Sequence, residues 1–227
     1  MSRRFDRCLL PPEPDLSFEL ELWSRGVRWV AGLDEAGRGA LAGPAAVGAL
    51  ILPPEPAVAI ALKGIRDSKA LTPAQRAGWA VRLKALALGW AVGFAFAHEV
   101  DALGIAPAVR LAALRALEAL PVKPSYLLLD YFSLPEAACP QTALVKGDTR
   151  ALSIAGASIL AKTCRDNLLR RLDEFFPGYG LAHNKGYGTA AHCQALRRLG
   201  PSPLHRRSFL RSILEDVNKS AKEEKCL

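Results

Sequence analysis

Two apolar segments that flank a short glycine-rich loop constrain the fold more than any other feature of this chain. Residues 28–33 and 45–52 are predominantly apolar, and the loop between them contains Gly37, Arg38 and Gly39. An apolar run of this length without polar alternation is typical of a strand buried on both faces. The pattern therefore predicts two strands inside a sheet that other elements cover on both sides.

The rest of the chain alternates between strand-like and helix-like patterns. Short apolar runs favour further strands at 90–98, 126–130 and 142–145. Longer segments with helical periodicity favour helices at 18–25, 72–88, 106–120, 153–176, 189–199 and 208–217. The residues at 53–56 and 177–188 are expected to form an irregular loop and a glycine-rich loop. This order of elements predicts an α/β protein.

The charge balance favours an anionic partner. The chain has 227 residues, of which 30 are Lys or Arg and 22 are Asp or Glu, so its formal net charge is +8. A basic surface of this kind favours a polyanion such as nucleic acid, although many proteins are basic without binding one. Half of the residues are hydrophobic, which is sufficient for a sizeable buried core.

The cysteines and the N-terminus indicate a cellular location. The five cysteines are scattered and contain no CxxC pair, which argues against a zinc site or a disulfide framework. Such usage fits a reducing cytoplasm. The N-terminal residues lack the apolar core of a signal peptide, and no apolar run is long enough to span a membrane. We therefore expect a cytoplasmic protein without a membrane partner.

Four acidic residues occupy positions that suit a metal site. Asp34 and Glu35 end the first apolar run, Asp130 ends the run YLLLD, and Asp148 follows a glycine in VKGD. Carboxylates are the ligands that Mg²⁺ and Mn²⁺ prefer. On local grounds each acid could equally be a turn residue, and Asp148 could simply cap the following helix. Adjacent strand residues point to opposite faces, so Asp34 and Glu35 share a site only if the strand ends or twists there.

Other acids have simpler interpretations, and several loops carry groups that could hold a nucleic-acid backbone. Asp166 lies four residues after Lys162, which predicts an ordinary surface ion pair.

Arg38 and Tyr187 each lie between two glycines, where a guanidinium can bind phosphate and a phenol ring can stack on a sugar or base. Tight turns and surface packing would explain both residues as well. Further loop cations are Lys69, Lys146, Lys185 and Arg207.

Six sequence blocks follow one another over most of the chain. They are GLDEAGRGALAGP at 32–44, DSKALTP at 67–73, YLLLD at 126–130, LVKGDTRALSIAGASILAKTCRD at 144–166, HNKGYGT at 183–189 and GPSPLHRRSF at 200–209. In sequence and in order, these blocks resemble bacterial ribonuclease HII, the type 2 ribonuclease H family. The first and fourth blocks are the most specific.

The resemblance implies an RNase H-like fold, in which helices flank a mixed central sheet, with a small C-terminal helical part. Within this frame we expect a partly loose N-terminal segment at 1–27, the catalytic domain at 28–200, and a C-terminal helix and tail at 201–227. The implied enzyme is a monomeric endoribonuclease. It would hydrolyse the RNA strand of RNA–DNA hybrids and cut on the 5′ side of ribonucleotides embedded in duplex DNA.

The resemblance also assigns site residues. The family's catalytic acids, which would bind two Mg²⁺ or Mn²⁺ ions, correspond to Asp34, Glu35, Asp130 and Asp148. The groups implied to read the ribose 2′-hydroxyl at the RNA–DNA junction are Gly37, Arg38, Gly39 and Tyr187. Implied contacts to the nucleic-acid backbone are Lys69, Lys146, Lys185 and Arg207.

One residue departs from the family pattern, and three alternatives remain open. The family usually has glycine after the third aspartate, whereas this chain has Tyr131. A ribonuclease HIII-like enzyme would typically carry an additional N-terminal domain, for which we expect no room here. A non-catalytic hybrid-binding protein would not need four acids, and a metal phosphatase for small substrates would need neither the charge nor a sugar-reading loop. A DNA duplex that contains one ribonucleotide would distinguish them.

Overall fold

One mixed β-sheet organises the protein, whose structure, a computed structural model, describes residues 10–211. Its strands are β1 (Val30–Ala36), β2 (Ala45–Ile51), β3 (Gly89–Ala95), β4 (Tyr126–Asp130) and β5 (Gln141–Leu144). The order across the sheet is β3-β2-β1-β4-β5. The β1–β2 and β2–β3 pairs are antiparallel, while the β1–β4 and β4–β5 pairs are parallel. The predicted α/β class with a mixed sheet is thus confirmed.

Helices cover both faces of the sheet. In chain order they are α1 (Ser17–Ser24), α2 (Val58–Ala61), α3 (Pro73–Leu86), α4 (Ala97–Leu103), α5 (Ile105–Glu118), α6 (Leu152–Phe175), α7 (Leu181–Asn184) and α8 (Ala190–Leu199). Short 3₁₀ helices span Ser68–Ala70, Gly147–Thr149 and Arg207–Phe209. Helix α5 packs on one face of the sheet and α6 on the other, so every residue of β2 is buried. None of the helices within residues 10–211 is long and apolar enough to cross a membrane.

Glycines allow α6 to lie directly on the sheet. A Cβ atom at Gly48 would stand 2.2 Å from the carbonyl oxygen of Ala157, and one at Gly32 would stand 2.2 Å from the carbonyl carbon of Ser153. Such distances leave no space for a side chain, so backbone packs against backbone. Gly48 is also the register partner of Asp34, which places this acid next to the contact.

Helix α1 is tied to the start of α6. The residue at the N-cap of α6, Ala151, has no side chain that could cap the helix. Instead, the buried carboxylate of Glu19 accepts hydrogen bonds from the backbone N–H of Ser153 at 2.9 Å and from its hydroxyl at 2.5 Å. Leu16 is buried, and Asp15 exchanges backbone hydrogen bonds with the segment that leads into α6. Residues 15 and 16, which we expected to be loose, are therefore packed.

Several element boundaries differ from the sequence prediction. β3 ends at Ala95 rather than at 98, because the Glu99 carboxylate accepts a hydrogen bond from the Phe96 N–H and starts α4 there. The glycine-rich loop expected at 177–188 contains the short helix α7, and the irregular loop expected at 53–56 is followed by the short helix α2. The predicted helix at 208–217 begins instead with the 3₁₀ turn Arg207–Phe209, and its part after residue 211 lies outside the described residues.

We expect Gly48→Ala to lower the free energy of unfolding by roughly 2–3 kcal/mol, because the added methyl group pushes α6 off the sheet. Urea denaturation measures this change. The control is Gly78→Ala in the exposed part of α3, where a Cβ meets no atom within 4 Å. This control should gain about 0.5–1 kcal/mol from the higher helix propensity of alanine. Equal stability of the two variants would contradict the close contact of α6 with β2.

Candidate active site

Three aspartates from different elements form a carboxylate cluster at one edge of the sheet. One carboxylate oxygen each from Asp34, Asp130 and Asp148 lies within 4.8 Å of the others. Leu33 and Leu129 are paired across the parallel strands β1 and β4, so the residues that follow them, Asp34 and Asp130, end up side by side. Asp148 reaches them from the 3₁₀ turn between β5 and α6. This grouping of hard oxygen atoms suits a divalent cation.

Backbone donors hold two of these acids in place. The N–H of Gly147 donates to Asp130 Oδ1 at 2.6 Å, and the N–H of Glu35 donates to Asp34 Oδ1 at 2.8 Å. The alternative role of Asp148 as a helix cap does not apply, since the N-cap of α6 is Ala151. The three carboxylates are therefore held close together, a grouping that no short sequence pattern specifies.

Glu35 borders the same space without joining the cluster of three oxygens. It lines a cavity of about 570 Å³ together with Asp130 and Asp148. Its Oε1 atom lies 3.6 Å from a guanidinium nitrogen of Arg38. Its Oε2 atom is buried and has no hydrogen-bond partner in the described part of the chain. A buried carboxylate oxygen without a partner is unfavourable, and a cation or its water ligand would satisfy it. The residues present therefore fit a divalent metal.

Burial and mutual repulsion make the ionised cluster unfavourable by itself. Burial, followed by the charges of Asp130 and Glu35, raises the pKa of Asp34 well above its ordinary value. Burial and the neighbouring Asp130 raise the pKa of Asp148 to about 6. The pKa of Asp130 is also raised, chiefly by burial. A divalent cation would reverse this balance, because it compensates the negative charges that repel one another.

Cations and an aromatic ring line the rest of the cavity. Arg38, Lys69, Tyr131 and Lys146 border it beside the acids. The Lys69 ammonium lies 3.9 Å from an oxygen of Asp148. Such a mixture of charges can accept an anionic group and hold it next to a bound cation. An adjoining cavity of about 230 Å³ shares Glu35, Arg38 and Lys69 with the first one and is also lined by Gly37, Gly39 and Tyr187.

Two buried arginines form hydrogen bonds to the backbone of the glycine loop. This role was not predicted from the sequence for either residue. The guanidinium of Arg165 donates to the carbonyl oxygens of Pro44, Lys185 and Ala42 at 2.8, 2.9 and 3.0 Å. The guanidinium of Arg206 donates to the carbonyl oxygens of Arg38 and Gly43 at 2.8 and 3.1 Å. Gly37 has a φ of +82°, and a Cβ there would stand 1.9 Å from Arg165 Nε. The only available signal was that both arginines lie inside the matching blocks.

The loop that carries Tyr187 is joined to the glycine loop. The carbonyl oxygen of Gly186 accepts hydrogen bonds from the N–H groups of Leu41 and Ala42 at 2.7 and 3.1 Å. The Tyr187 ring stands 5.3 Å from the Lys162 ammonium and 5.4 Å from the Arg165 guanidinium carbon, both on α6. The two loops are therefore joined beside the acids, and together they carry Gly37, Arg38, Gly39 and Tyr187.

Two of the expected backbone contacts lie outside these cavities, and one ion pair is more buried than expected. The Lys185 ammonium contacts the carbonyl oxygen of Ala182 and does not line either of the two cavities described above. Arg207 is exposed and borders a different cavity, near His98. The Lys162–Asp166 ion pair is present at 2.7 Å, but the expectation of a surface pair was wrong, because Asp166 is only 4% exposed.

Tyr131 adopts the backbone conformation that glycine would favour. Its φ is +64°, and its side chain is 72% exposed at the rim of the larger cavity. A left-handed conformation costs a non-glycine residue about 1–2 kcal/mol. The N–H of Tyr131 still donates to the carbonyl oxygen of Leu144 at 2.8 Å, which continues the pairing of β4 with β5. The departure from the family pattern therefore leaves Asp130 in the cluster.

Without divalent metal, we expect Asp148→Asn to be more stable than the wild type at about pH 7.5, by roughly 1–2 kcal/mol. The pKa of Asp148 is raised to about 6 in the folded protein, so its ionisation opposes folding. This penalty is absent at a pH below the ordinary carboxyl pKa and is complete once the pH has risen above the folded value. The advantage of the variant should therefore disappear at about pH 4 and below.

Chemical denaturation in EDTA at the two pH values measures this difference. Addition of Mg²⁺ should reverse the order, because a ligand that binds the folded state stabilises it. Glu118→Gln, at the exposed end of α5, is the control and should change the stability by less than about 0.5 kcal/mol. A variant that is less stable than the wild type in EDTA at the higher pH would refute the repulsion within the cluster.

Comparison with known proteins agrees with this geometry. The family model described as Ribonuclease HII matches residues 31–212. A ribonuclease HII from Synechococcus sp. (strain JA-3-3Ab) is 52% identical over 201 residues, which cover 87% of this chain and 88% of the relative. The solved ribonuclease H2 from Pyrococcus horikoshii OT3 is similar with a TM-score of 0.70 and 25% identity, over 84% of this chain and 99% of that chain.

A solved ribonuclease HIII, from Bst and in complex with Mn²⁺, has a TM-score of 0.63 over 85% of this chain and 71% of its own. At 18% identity it shows the shared fold alone. The family model and the Synechococcus relative carry the assignment, because both extend over most of the chain. The chain belongs to the ribonuclease HII family of metal-dependent endonucleases, which hydrolyse RNA in RNA–DNA hybrids.

Proposed function

We propose that this ribonuclease H, besides cleaving the RNA strand of hybrids, cuts the phosphodiester on the 5′ side of ribonucleotides embedded in duplex DNA, with two divalent cations. The observation that carries the proposal is the proximity of two sets of groups. The acids Asp34, Asp130 and Asp148 form one cluster, and the cavity beside it adjoins the one lined by Tyr187 and the glycine loop.

The four acids are the proposed metal ligands. Asp34, Asp130 and Asp148 supply the close oxygen atoms, and Glu35 adds the buried oxygen that has no protein partner among the described residues. Bound Mg²⁺ or Mn²⁺ would supply an activated water and stabilise the charge of the leaving oxygen. The products would be a 3′-hydroxyl and a 5′-phosphate.

The cations around the larger cavity are proposed to hold the substrate backbone. Arg38, Lys69 and Lys146 line it, so a phosphate placed next to the acids would meet positive charge on its other sides. The net charge of +8 favours approach of the nucleic acid. Lys185 and Arg207 are proposed only as outer backbone contacts, because their side chains do not line this cavity.

Recognition of the sugar is assigned to Tyr187 and to residues 37–39. The 2′-hydroxyl is the group that distinguishes RNA from DNA at a given nucleotide. The Tyr187 hydroxyl and the glycine-loop backbone can both form hydrogen bonds, and they border the smaller cavity together. Since that cavity shares Glu35 and Arg38 with the larger one, the sugar and the scissile phosphate of one nucleotide can be contacted at the same time.

The alternatives explain these features less well. A non-catalytic hybrid-binding protein would gain nothing from three clustered carboxylates, which repel both one another and a polyanion. A phosphatase for small substrates would not need the loop that holds Tyr187. We also propose that the enzyme acts as a monomer in the cytoplasm. In support of a reducing compartment, the cysteines within residues 10–211, Cys139, Cys164 and Cys193, are free thiols.

Asp130→Asn should abolish most of the cleavage but retain binding. We expect the rate to fall by roughly a hundredfold or more, because the variant loses an anionic ligand in a site that stabilises developing charge. The cleavage rate is measured on a labelled RNA–DNA hybrid in Mg²⁺ and in Mn²⁺. Binding is measured by fluorescence anisotropy in EDTA, with Glu118→Gln as the control. Cleavage at the wild-type rate would eliminate Asp130 as a ligand.

Tyr187→Phe should slow cleavage of a DNA duplex that contains one ribonucleotide by about tenfold, since it removes one hydrogen bond to the sugar. The matched control is Tyr126→Phe, whose hydroxyl bonds to Thr142 at 2.8 Å at the start of β4, while Asp130 lies at its end. An unchanged rate for Tyr187→Phe would remove the tyrosine from sugar recognition.

The same assay separates the alternatives. The wild type should cut the duplex at the ribonucleotide and should leave an all-DNA duplex intact. Cleavage of long hybrids alone would favour a ribonuclease HIII-like enzyme, and binding without any cleavage would favour the hybrid-binding protein.

A further inference from the structure

Two histidines meet in the interior behind the Tyr187 loop. His192 lies in α8 and His205 in the segment that follows it, and both are buried. Their Nε2 atoms are 3.1 Å apart. The remaining ring nitrogens also have partners: His192 Nδ1 lies 2.9 Å from the carbonyl oxygen of Tyr187, and His205 Nδ1 lies 3.0 Å from the backbone nitrogen of Ser202.

These contacts allow a single arrangement of protons for two neutral rings. A carbonyl oxygen only accepts, so Nδ1 of His192 must carry a hydrogen, and its Nε2 is then an acceptor. A backbone N–H only donates, so Nδ1 of His205 must be an acceptor, and its Nε2 then carries the hydrogen. The Nε2–H of His205 therefore donates to Nε2 of His192. A continuous chain of hydrogen bonds runs from Ser202 through both rings to Tyr187.

The surroundings favour neutral rings. Burial lowers the pKa of His192 and that of His205, the latter to about 4, and charge on one ring would disfavour charge on the other. The Tyr179 ring packs against His205 with a centroid distance of 4.8 Å.

The hydrogen-bonded chain ends on the loop that carries Tyr187. Tyr187 lies between two glycines, and Gly186 has a φ of +79°. The carbonyl oxygen of Tyr187 also accepts a hydrogen bond from the N–H of Thr189 at 2.8 Å, so His192, in the first turn of α8, is its side-chain partner. The segment that carries His205 also bridges to Ala42 of the glycine loop. One buried unit thus contacts both loops of the proposed sugar-reading site.

We propose that His192 and His205 are positioning residues for Tyr187: their hydrogen-bond chain fixes the backbone of this tyrosine and thereby the place of its phenol ring. The inference rests on the proposed function, in which Tyr187 contacts the ribose. Neither histidine touches the substrate in this proposal. Loss of the chain would let the carbonyl group and the ring move while the acids stay in place.

The first test does not depend on activity. Nitrogen-15 NMR of the histidine rings in the wild-type protein, near neutral pH, reports the position of each proton. The rings are assigned with His192→Asn and His205→Asn. We expect neutral rings, with the Nδ1–H tautomer for His192 and the Nε2–H tautomer for His205. An Nε2–H tautomer or a cation at His192 would overturn the inference.

The second test compares two variants of one residue. His192→Ala removes the donor to Tyr187, whereas the side-chain amide of His192→Asn can replace it. Both variants lose the contact with His205. We expect His192→Ala to slow cleavage of the single-ribonucleotide duplex by about tenfold, the effect of one hydrogen bond, and His192→Asn to recover most of the rate. Equal losses in both variants would indicate a merely structural role and would contradict the proposal.

A double-mutant cycle connects the histidine to the tyrosine. In the Tyr187→Phe background, His192→Ala should cause much less additional loss than in the wild type, because both changes act through the same hydroxyl. Fully additive losses would overturn the inference. A wild-type rate for Tyr187→Phe alone would contradict the proposed sugar recognition instead, and the tautomer measurement would then decide whether the histidines fix the loop backbone.

Discussion

The direct contact between the backbone of α6 and the strands β1 and β2 is the constraint on which the rest of the structure depends. Gly32 and Gly48 make this contact possible, since any side chain there would collide with the helix backbone. Asp148 lies just before α6, so the height of the helix above the sheet sets the distance from Asp148 to Asp34. The same helix carries Arg165 to the glycine loop. The distance between α6 and the sheet therefore sets the geometry both of the carboxylate cluster and of the hydrogen bonds from Arg165 to the glycine loop.

The strands and two of the acids could be predicted because their signals are local. The apolar runs of β1, β2 and β4 read as buried strands, and Asp34 and Asp130 follow such runs directly. To predict that the two acids lie side by side, one must know that β1 and β4 are parallel neighbours, and no local sequence pattern indicates this. The similarity to the ribonuclease HII family supplied it. Glu35 illustrates the limit: strand alternation made a shared site with Asp34 uncertain, and it borders the cavity without joining the cluster.

Buried polar residues were the features that sequence reasoning could not place. Glu19, Arg165 and Arg206 belong to residue types that are usually exposed, and histidine is intermediate. The partners of Glu19 and Arg206 lie far away in the sequence, at Ser153 and Arg38. The periodicity of apolar residues indicates which face of a helix or strand is buried, but it does not indicate hydrogen bonds between residues far apart in the sequence. The position of Lys185 was also beyond local sequence patterns, since its ammonium contacts the carbonyl oxygen of Ala182 and lines neither cavity beside the acids.

The two arginines beneath the glycine loop have a thermodynamic consequence. Their hydrogen bonds go to backbone carbonyl groups, and neither forms an ion pair between residues 10 and 211. Burial of a cation that lacks a carboxylate partner opposes folding. An anion held above the loop offsets part of that penalty, so occupancy of the loop and its folding are linked by mass action. Held there as proposed, the phosphate backbone of the nucleic acid would supply the negative charge that the two arginines lack in the free protein.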